Sequence, residues 1–237
     1  MSQNYTSFYI ALRYLKGRKS GFLSFISALA FISTSLGVAV LIIVSSVMNG
    51  FEQELKDRVL NVIPHASIYG LNPIDDWKTV EISLREDTNI KGISPYIETE
   101  ALIKSKTAVA GVLVNGVIAS KDKSVSVVHE FMQTGNFEKI QASNNIVLGR
   151  LLARKLNVDV GDKISLMLPD TSSSFAGYFP KSKVFNISGI FNIGSKDIDE
   201  TLAYISLENA SILTGLKNQV HGFRLKFDDL FEAPYLV

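Results

Sequence analysis

Few residues in this chain have the type and spacing needed to break bonds. His65, His129 and His221 stand far apart with no second histidine at ligand spacing, and there is no cysteine. Disulfides and thiolate metal sites are therefore excluded. The phosphate-cradling GxxxxGK[ST] loop, the GxSxG nucleophile elbow, the HExxH zinc helix and GxGxxG are all missing. Asp197, Asp199 and Glu200, in SKDIDE, could hold a metal or form an acid pair, but Asp and Lys between two strands are expected to form a solvated turn. No residue takes a catalytic, metal or cofactor role. What stands out fits binding instead. The segment PDTSSSFAGYFP, Pro169–Pro180, places Phe175, Tyr178 and Phe179 within five residues, around Gly177 and between bracketing prolines. Aromatic side chains give large contact area at small entropy cost, which makes them good anchors.

The elements that must position this loop are strands at Lys163–Leu168 and Lys183–Phe191. The body, residues 65–237, reads as α+β. Ala66–Tyr69, Tyr96–Lys104 and Val109–Ala119 are strand-like, rich in β-branched and aromatic residues. Asp75–Arg85 spaces Trp77, Val80 and Leu84 as one helical face, with Asp75 available as a cap. From about 145 to 215, short strands and helices alternate (Ile146–Leu148, Arg150–Leu156, Leu202–Leu207, Glu208–Gly215), and His221–Phe227 is a last alternating strand. The expected architecture is a two-part domain: a mixed α/β sandwich interrupted by a β-rich subdomain.

Ahead of the body, Ser20–Phe51 carries no charge. As a helix, Phe22–Met48 would be about 40 Å long, enough to cross a bilayer. It is longer than the apolar core of a cleavable leader and lacks a convincing cleavage site. Arg13, Lys16, Arg18 and Lys19 precede it, whereas the flank beyond is mixed, so the N-terminus is expected in the cytoplasm and the body in the periplasm. Residues 1–19 are expected to lie in the cytoplasmic interface, with Phe8, Ala11, Leu12 and Leu15 on one face. Residues 20–51 form the span, and 52–64 a helical stalk ended by Pro64. Within the span, Ser27, Ala30, Thr34 and Gly37 form a small-residue stripe suited to partner helices. Val40, Val44, Val47, Met48 and Phe51 form a bulkier one. The net charge of +1 hides this asymmetry: beyond residue 19 the acids outnumber the bases, which argues against nucleic acid as a partner.

The opening block YIALRYLKGRKSGFLSFISALAFISTSLGVAVLIIVSSVMNGFEQEL, the proline that ends the stalk, and later IVLGRLLARKLNVDVGDKISLMLP and KVFNISGIF resemble the permeases of the lipoprotein-releasing Lol system, the LolC/LolE family. The resemblance covers essentially the whole chain and implies a non-catalytic permease of an ABC transporter in the bacterial inner membrane. Three further spans would follow in the full-length protein. The implied partners are a cytoplasmic ATPase, a second permease subunit (homo- or heterodimer), acylated lipoproteins, membrane lipid and a periplasmic carrier chaperone. The bulky stripe would then face the lipoprotein cavity. By the same resemblance, Pro169, Phe175, Gly177, Tyr178, Phe179 and Pro180 form a hook that grips the carrier. The chaperone-recruiting subunit also uses an arginine just before its hook; Ser165 stands there here, with Lys181 and Lys183 as candidates for its electrostatic role. A related efflux or cell-division permease, or a membrane-anchored scaffold, shares enough of this architecture to remain an alternative.

Overall fold

The computed structural model describes residues 6, 9, 10, 13, 21–55, 64, 66–86, 89–142, 144–168 and 181–227. The chain divides into two compact units, Met1–Glu54 and Leu55–Val237. In the first, helix α1 (Gly21–Leu55) runs unbroken for 35 residues, about 52 Å at 1.5 Å per residue. Its Phe25–Glu52 stretch has a mean hydropathy of 2.4 and none of it is buried by the rest of the chain. It is long and apolar enough to cross a membrane. Thr34 Oγ1 donates to the Ala30 carbonyl at 2.9 Å, so its hydroxyl is satisfied within the helix. Most of the expected interfacial segment, including Phe8, Ala11, Leu12 and Leu15, and most of the stalk beyond Leu55 lie outside the described residues.

The second unit contains strands β1 (Ala66–Ile74), β2 (Ile90–Lys104), β3 (Val109–Val117), β4 (Met132–Gly135), β5 (Asn145–Gly149), β6 (Lys163–Leu168), β7 (Lys181–Phe191), β8 (Leu202–Ser206) and β9 (Val220–Phe227). Helices α2 (Trp77–Arg85), α3 (Ala119–Asp122), α4 (Arg150–Leu156), α5 (Lys196–Thr201) and α6 (Leu207–Thr214) lie between them. Six strands close on themselves. β2 pairs β3, β3 pairs β8, β8 pairs β5, β5 pairs β7, β7 pairs β6, and β6 returns to β2. Closure removes the free strand edges that would otherwise invite foreign pairing. β9 and β1 extend the sheet from β2, and β4 extends it from β7. The β1–β9 pair sets Ala66 opposite Leu225.

Side chains alternate across each strand, which sorts them into two layers. Ile97, Ile103, Val114, Ile146, Leu166, Phe185 and Ile205 point into the ring and join Leu152 and Leu156 of α4 and Leu213 of α6 in one core. Outside it, Tyr96, Val117, Phe191 and Tyr204 pack with Val128, Phe137 and Ile140; the Phe137 and Phe191 rings meet Tyr204 edge-on, at 5.4 and 5.9 Å. Gly116 lets α6 approach β3, since a Cβ there would lie 2.1 Å from that of Ala210. The segment from about 145 to 215 supplies β5, β6, β7 and β8. It shares both ring and core with β2 and β3.

Two local expectations need correction. Asp76, not Asp75, holds the N-cap of α2; its carboxylate accepts from Thr79 Oγ1 at 2.6 Å, while Asp75 accepts from Gln219. Val80 is exposed, and the buried position on that helix is Glu81. Burial pushes its carboxyl up, but hydrogen bonds and charges from Lys121 and Arg85 outweigh that and hold it below the ordinary carboxylate range. Lys121 Nζ reaches Glu81 at 2.7 Å and also lies 5.2 Å above the Trp77 ring. The α2 helix is thus fastened to α3 by charge as well as by packing.

Candidate functional site

β6 and β7 pair without a break from Lys163↔Asn186 to Leu168↔Lys181. The two residues that flank 169–180 are therefore held side by side at ladder spacing, about 5 Å. Pro169, Phe175, Gly177, Tyr178, Phe179 and Pro180 themselves lie outside the described residues. At the base of the hairpin, register separates residues that sequence had grouped. Ser165 pairs with Val184 and with Lys104 of β2, so these three share the outer face of the ring. Lys181 and Lys183 pair with Leu168 and Leu166 and stand on the other face. Lys183 Nζ donates to Asn209 Oδ1 at 2.7 Å and sits 5.8 Å from the Phe185 ring. The cation beside Ser165 in the pairing is thus Lys104, while Lys181 and Lys183 occupy the opposite face of the strand. Lys104 was missed because nothing in the sequence states that β6 pairs with β2, sixty residues upstream.

On α1, the two stripes are one. Ser27, Thr34, Leu41 and Met48 recur at seven-residue steps, as do Ala30, Gly37, Val44 and Phe51, so they lie on one helical face that drifts about 20° per heptad. The face is small in the N-terminal half and bulky in the C-terminal half. Val40 and Val47 lie roughly 60° round from it at 3.6 residues per turn. Two separate faces are not present.

The other candidates resolve as structural. SKDIDE is not a solvated turn: Lys196–Thr201 is helical and Asp199 is buried. Its carboxylate accepts the Ile193 and Gly194 N–H groups at 2.9 and 3.0 Å, closing the bend before α5. Glu200 pairs with Lys155 at 2.9 Å. His221 Nδ1 accepts the Glu98 N–H at 3.2 Å, His129 Nδ1 lies 3.2 Å from the Ser126 carbonyl, and His65 is outside the described residues. Among the described residues no group of acids and histidines could hold a metal.

A polar cluster that sequence reading passed over sits outside the ring beneath β9. Arg224, 6% exposed, donates to Asn115 Oδ1 at 2.5 Å and Glu98 Oε2 at 3.3 Å, and stacks 4.8 Å from the Tyr96 ring. Its Nη1 lies 3.9 Å from Asp122 Oδ1, which accepts no hydrogen bond from the described residues. Burial pushes the Asp122 carboxyl up to about 6, although Arg224 pulls it down. Burial also raises the Tyr204 hydroxyl, helped by the nearby Asp122 charge. The only sequence signal was an arginine on an otherwise inward-packed strand, and such a residue needs partners from other elements. Beside this cluster a cleft is lined by Pro64, Glu98, Leu113, Thr201 and Leu202.

The described residues thus combine a closed strand ring with a helix long and apolar enough to cross a membrane. A profile of the MacB-like periplasmic core domain matches residues 27–229. The chain belongs to the MacB-like periplasmic core domain family. It is similar to the lipoprotein-releasing system transmembrane protein LolC of Neisseria meningitidis, 37% identical over 96% of this chain and 56% of the relative. It is also similar to the lipoprotein-releasing system transmembrane protein LolE of Haemophilus influenzae, 34% identical over 98% of this chain and 57% of that one. Among solved structures, the extracellular domain of the ABC-type transporter YknZ from Gram-positive bacteria aligns with 71% of this chain and 78% of its own. The identity there is 8% and the TM-score 0.47. The chain spans about half the length of the curated relatives it matches.

Proposed function

We propose that this MacB-like chain is the N-terminal part of a permease subunit of a lipoprotein-releasing ABC transporter. It lies in the inner membrane, with residues 1–19 cytoplasmic and 65–237 periplasmic. A separate cytoplasmic ATPase supplies the energy, and a second permease subunit completes the membrane part. The cargo is an acylated lipoprotein, passed to a soluble periplasmic carrier. The observation that carries this reading is the 37% identity to a lipoprotein-releasing permease across helix and domain together. The unbroken β6–β7 pairing supports it, because it holds Leu168 and Lys181, the residues on either side of 169–180, next to each other. Val44, Met48 and Phe51, on the bulky half of the α1 face, are assigned to the lipoprotein cavity, with Val40 and Val47 at its margin.

Orientation has a clean test, because the chain has no cysteine. Lys106→Cys, in the exposed turn between β2 and β3, should react with a membrane-impermeant thiol reagent in intact spheroplasts. Labelling only after lysis reverses the topology. For the carrier, Phe175→Ala should weaken binding of the periplasmic domain at least tenfold, since a buried Phe side chain contributes about 1.5–3 kcal/mol. Calorimetric titration reads this directly. Unchanged affinity for Phe175, Tyr178 and Phe179 variants alike would remove the hook and favour an efflux or cell-division permease.

A further inference from the structure

Lysines near the end of a strand ordinarily lead out to water. Lys181 and Lys183, which open β7 directly after 169–180, lead toward a helix instead. Their register opposite Leu168 and Leu166 puts them on the core-facing side of the hairpin, where Leu166, Leu168, Phe185 and Ile187 join the ring core. β6 is packed as far as its last residue, Leu168. β7 has no apolar side chain on this face before Phe185, so packing alone leaves its first residues unheld. α6 supplies what is missing. Lys183 is half-buried, and its Nζ donates to Asn209 Oδ1 at 2.7 Å. Asn209 is 6% exposed, and its own N–H donates to Ser206 Oγ at the α6 N-cap. At the other end of the helix, a Cβ on Gly215 would lie 3.2 Å from Lys181 Nζ. Gly215 is the C-cap of α6, and a cation is favourable there because the last helical carbonyls lack N–H partners. α6 itself is set against β3 through Ala210 and Gly116, with Leu213 in the core.

We propose that Lys183 and Asn209, with Lys181 at the helix end, are positioning residues. They brace the start of β7 against α6 and so hold the base of 169–180 in the direction from which the carrier is engaged. The inference rests on the carrier binding proposed above. The hydrogen bond suits a brace, since a bond to an ammonium is roughly twice as strong as one between neutral groups. It also commits Lys183 to an interior partner. A buried asparagine cannot meet a soluble protein, and the ammonium it holds is turned from the outer face that carries Ser165 and Lys104. The brace acts through preorganisation. A binding segment whose base is already fixed loses less freedom on association. Apparent affinity falls in proportion when only a fraction of molecules present the competent direction.

The test is made in the assembled transporter, with the soluble carrier titrated onto it. Asn209→Leu keeps the volume and removes the acceptor; Asn209→Asp keeps the acceptor and adds charge; Lys183→Met keeps the stem and removes the donor. Thermal melting checks that each variant folds. Asn209→Leu and Lys183→Met should each weaken carrier binding about fivefold or more, and together no more than either alone. Asn209→Asp should stay within about twofold of wild type. The salt dependence of binding should be the same in Lys183→Met as in wild type, because a braced ammonium offers no charge to the carrier. Hydrogen exchange at residues 182–184, measured without carrier, should quicken roughly tenfold in both brace-breaking variants and not in Asn209→Asp. Weaker binding with a flatter salt dependence for Lys183→Met alone would make Lys183 a direct carrier contact and overturn the brace. Unchanged exchange in Asn209→Leu overturns it as well. If the wild-type transporter binds no carrier, the transport reading fails, and the exchange result by itself upholds or removes the brace.

Discussion

Arg224→Ala is expected to destabilise the strand-ring domain by about 3–5 kcal/mol, because it strips the partner from a buried charge. Arg224 holds Asn115 and Glu98 by hydrogen bonds, stacks on Tyr96, and is the cation nearest Asp122. Removing it leaves the Asn115 amide oxygen without this donor and an uncompensated carboxylate. Arg224→Lys keeps the charge but not the planar fork, so it should recover only part of the loss. Pairing Arg224→Met with Asp122→Asn removes both charges together. The double variant should be more stable than the sum of the two single effects predicts, because losing Arg224 costs less once Asp122 carries no charge, which a double-mutant cycle by urea unfolding would measure. Strict additivity would mean that the two groups do not interact.

Asp122→Asn should stabilise the domain at neutral pH, which is unusual for a buried polar residue. The folded-state pKa of Asp122 is raised to about 6 from the ordinary 3.8. The folded state therefore holds this proton more tightly than the unfolded one. Stability associated with the group is greatest below pH 3.8, declines as pH rises to 6, and stays at its lower level above. A displacement of about 2 pH units corresponds to about 3 kcal/mol at pH 7 and above. The gain from Asp122→Asn should approach that size at pH 7.5 and vanish near pH 3.5. Arg224, Tyr204 and Glu98 are the titratable groups around this cluster. Unfolding midpoints across that range decide the matter: a gain that does not depend on pH would place its origin in packing rather than charge.

Local pattern carried most of the secondary structure. α4 begins and ends at the residues its periodicity indicates, Arg150 and Leu156, and β6 at Lys163 and Leu168. Pairing was less legible. Alternation says that Ser165 and Lys183 differ in face only once the hairpin register is known, and the contact of β6 with β2 joins segments that no local signal connects. The same limit hid the polar cluster, whose members come from β2, β3, α3, β8 and β9. Asp199 misled for a different reason. Acidic residues favour turns because they can bond nearby backbone, and here that bonding folds inward over a buried bend.

The pairing of Ala66 with Leu225 has a mechanical consequence. β1 and β9 run antiparallel, so the start of one and the end of the other lie at the same end of the ladder. Tension that draws both in one direction moves them as a single tether and loads no bond between them. Tension that draws them apart opens the ladder from that end, one hydrogen bond after another, like a zip. A pull that moves Ala66 and Leu225 together therefore leaves the ladder intact, whereas one that spreads them opens it at modest force.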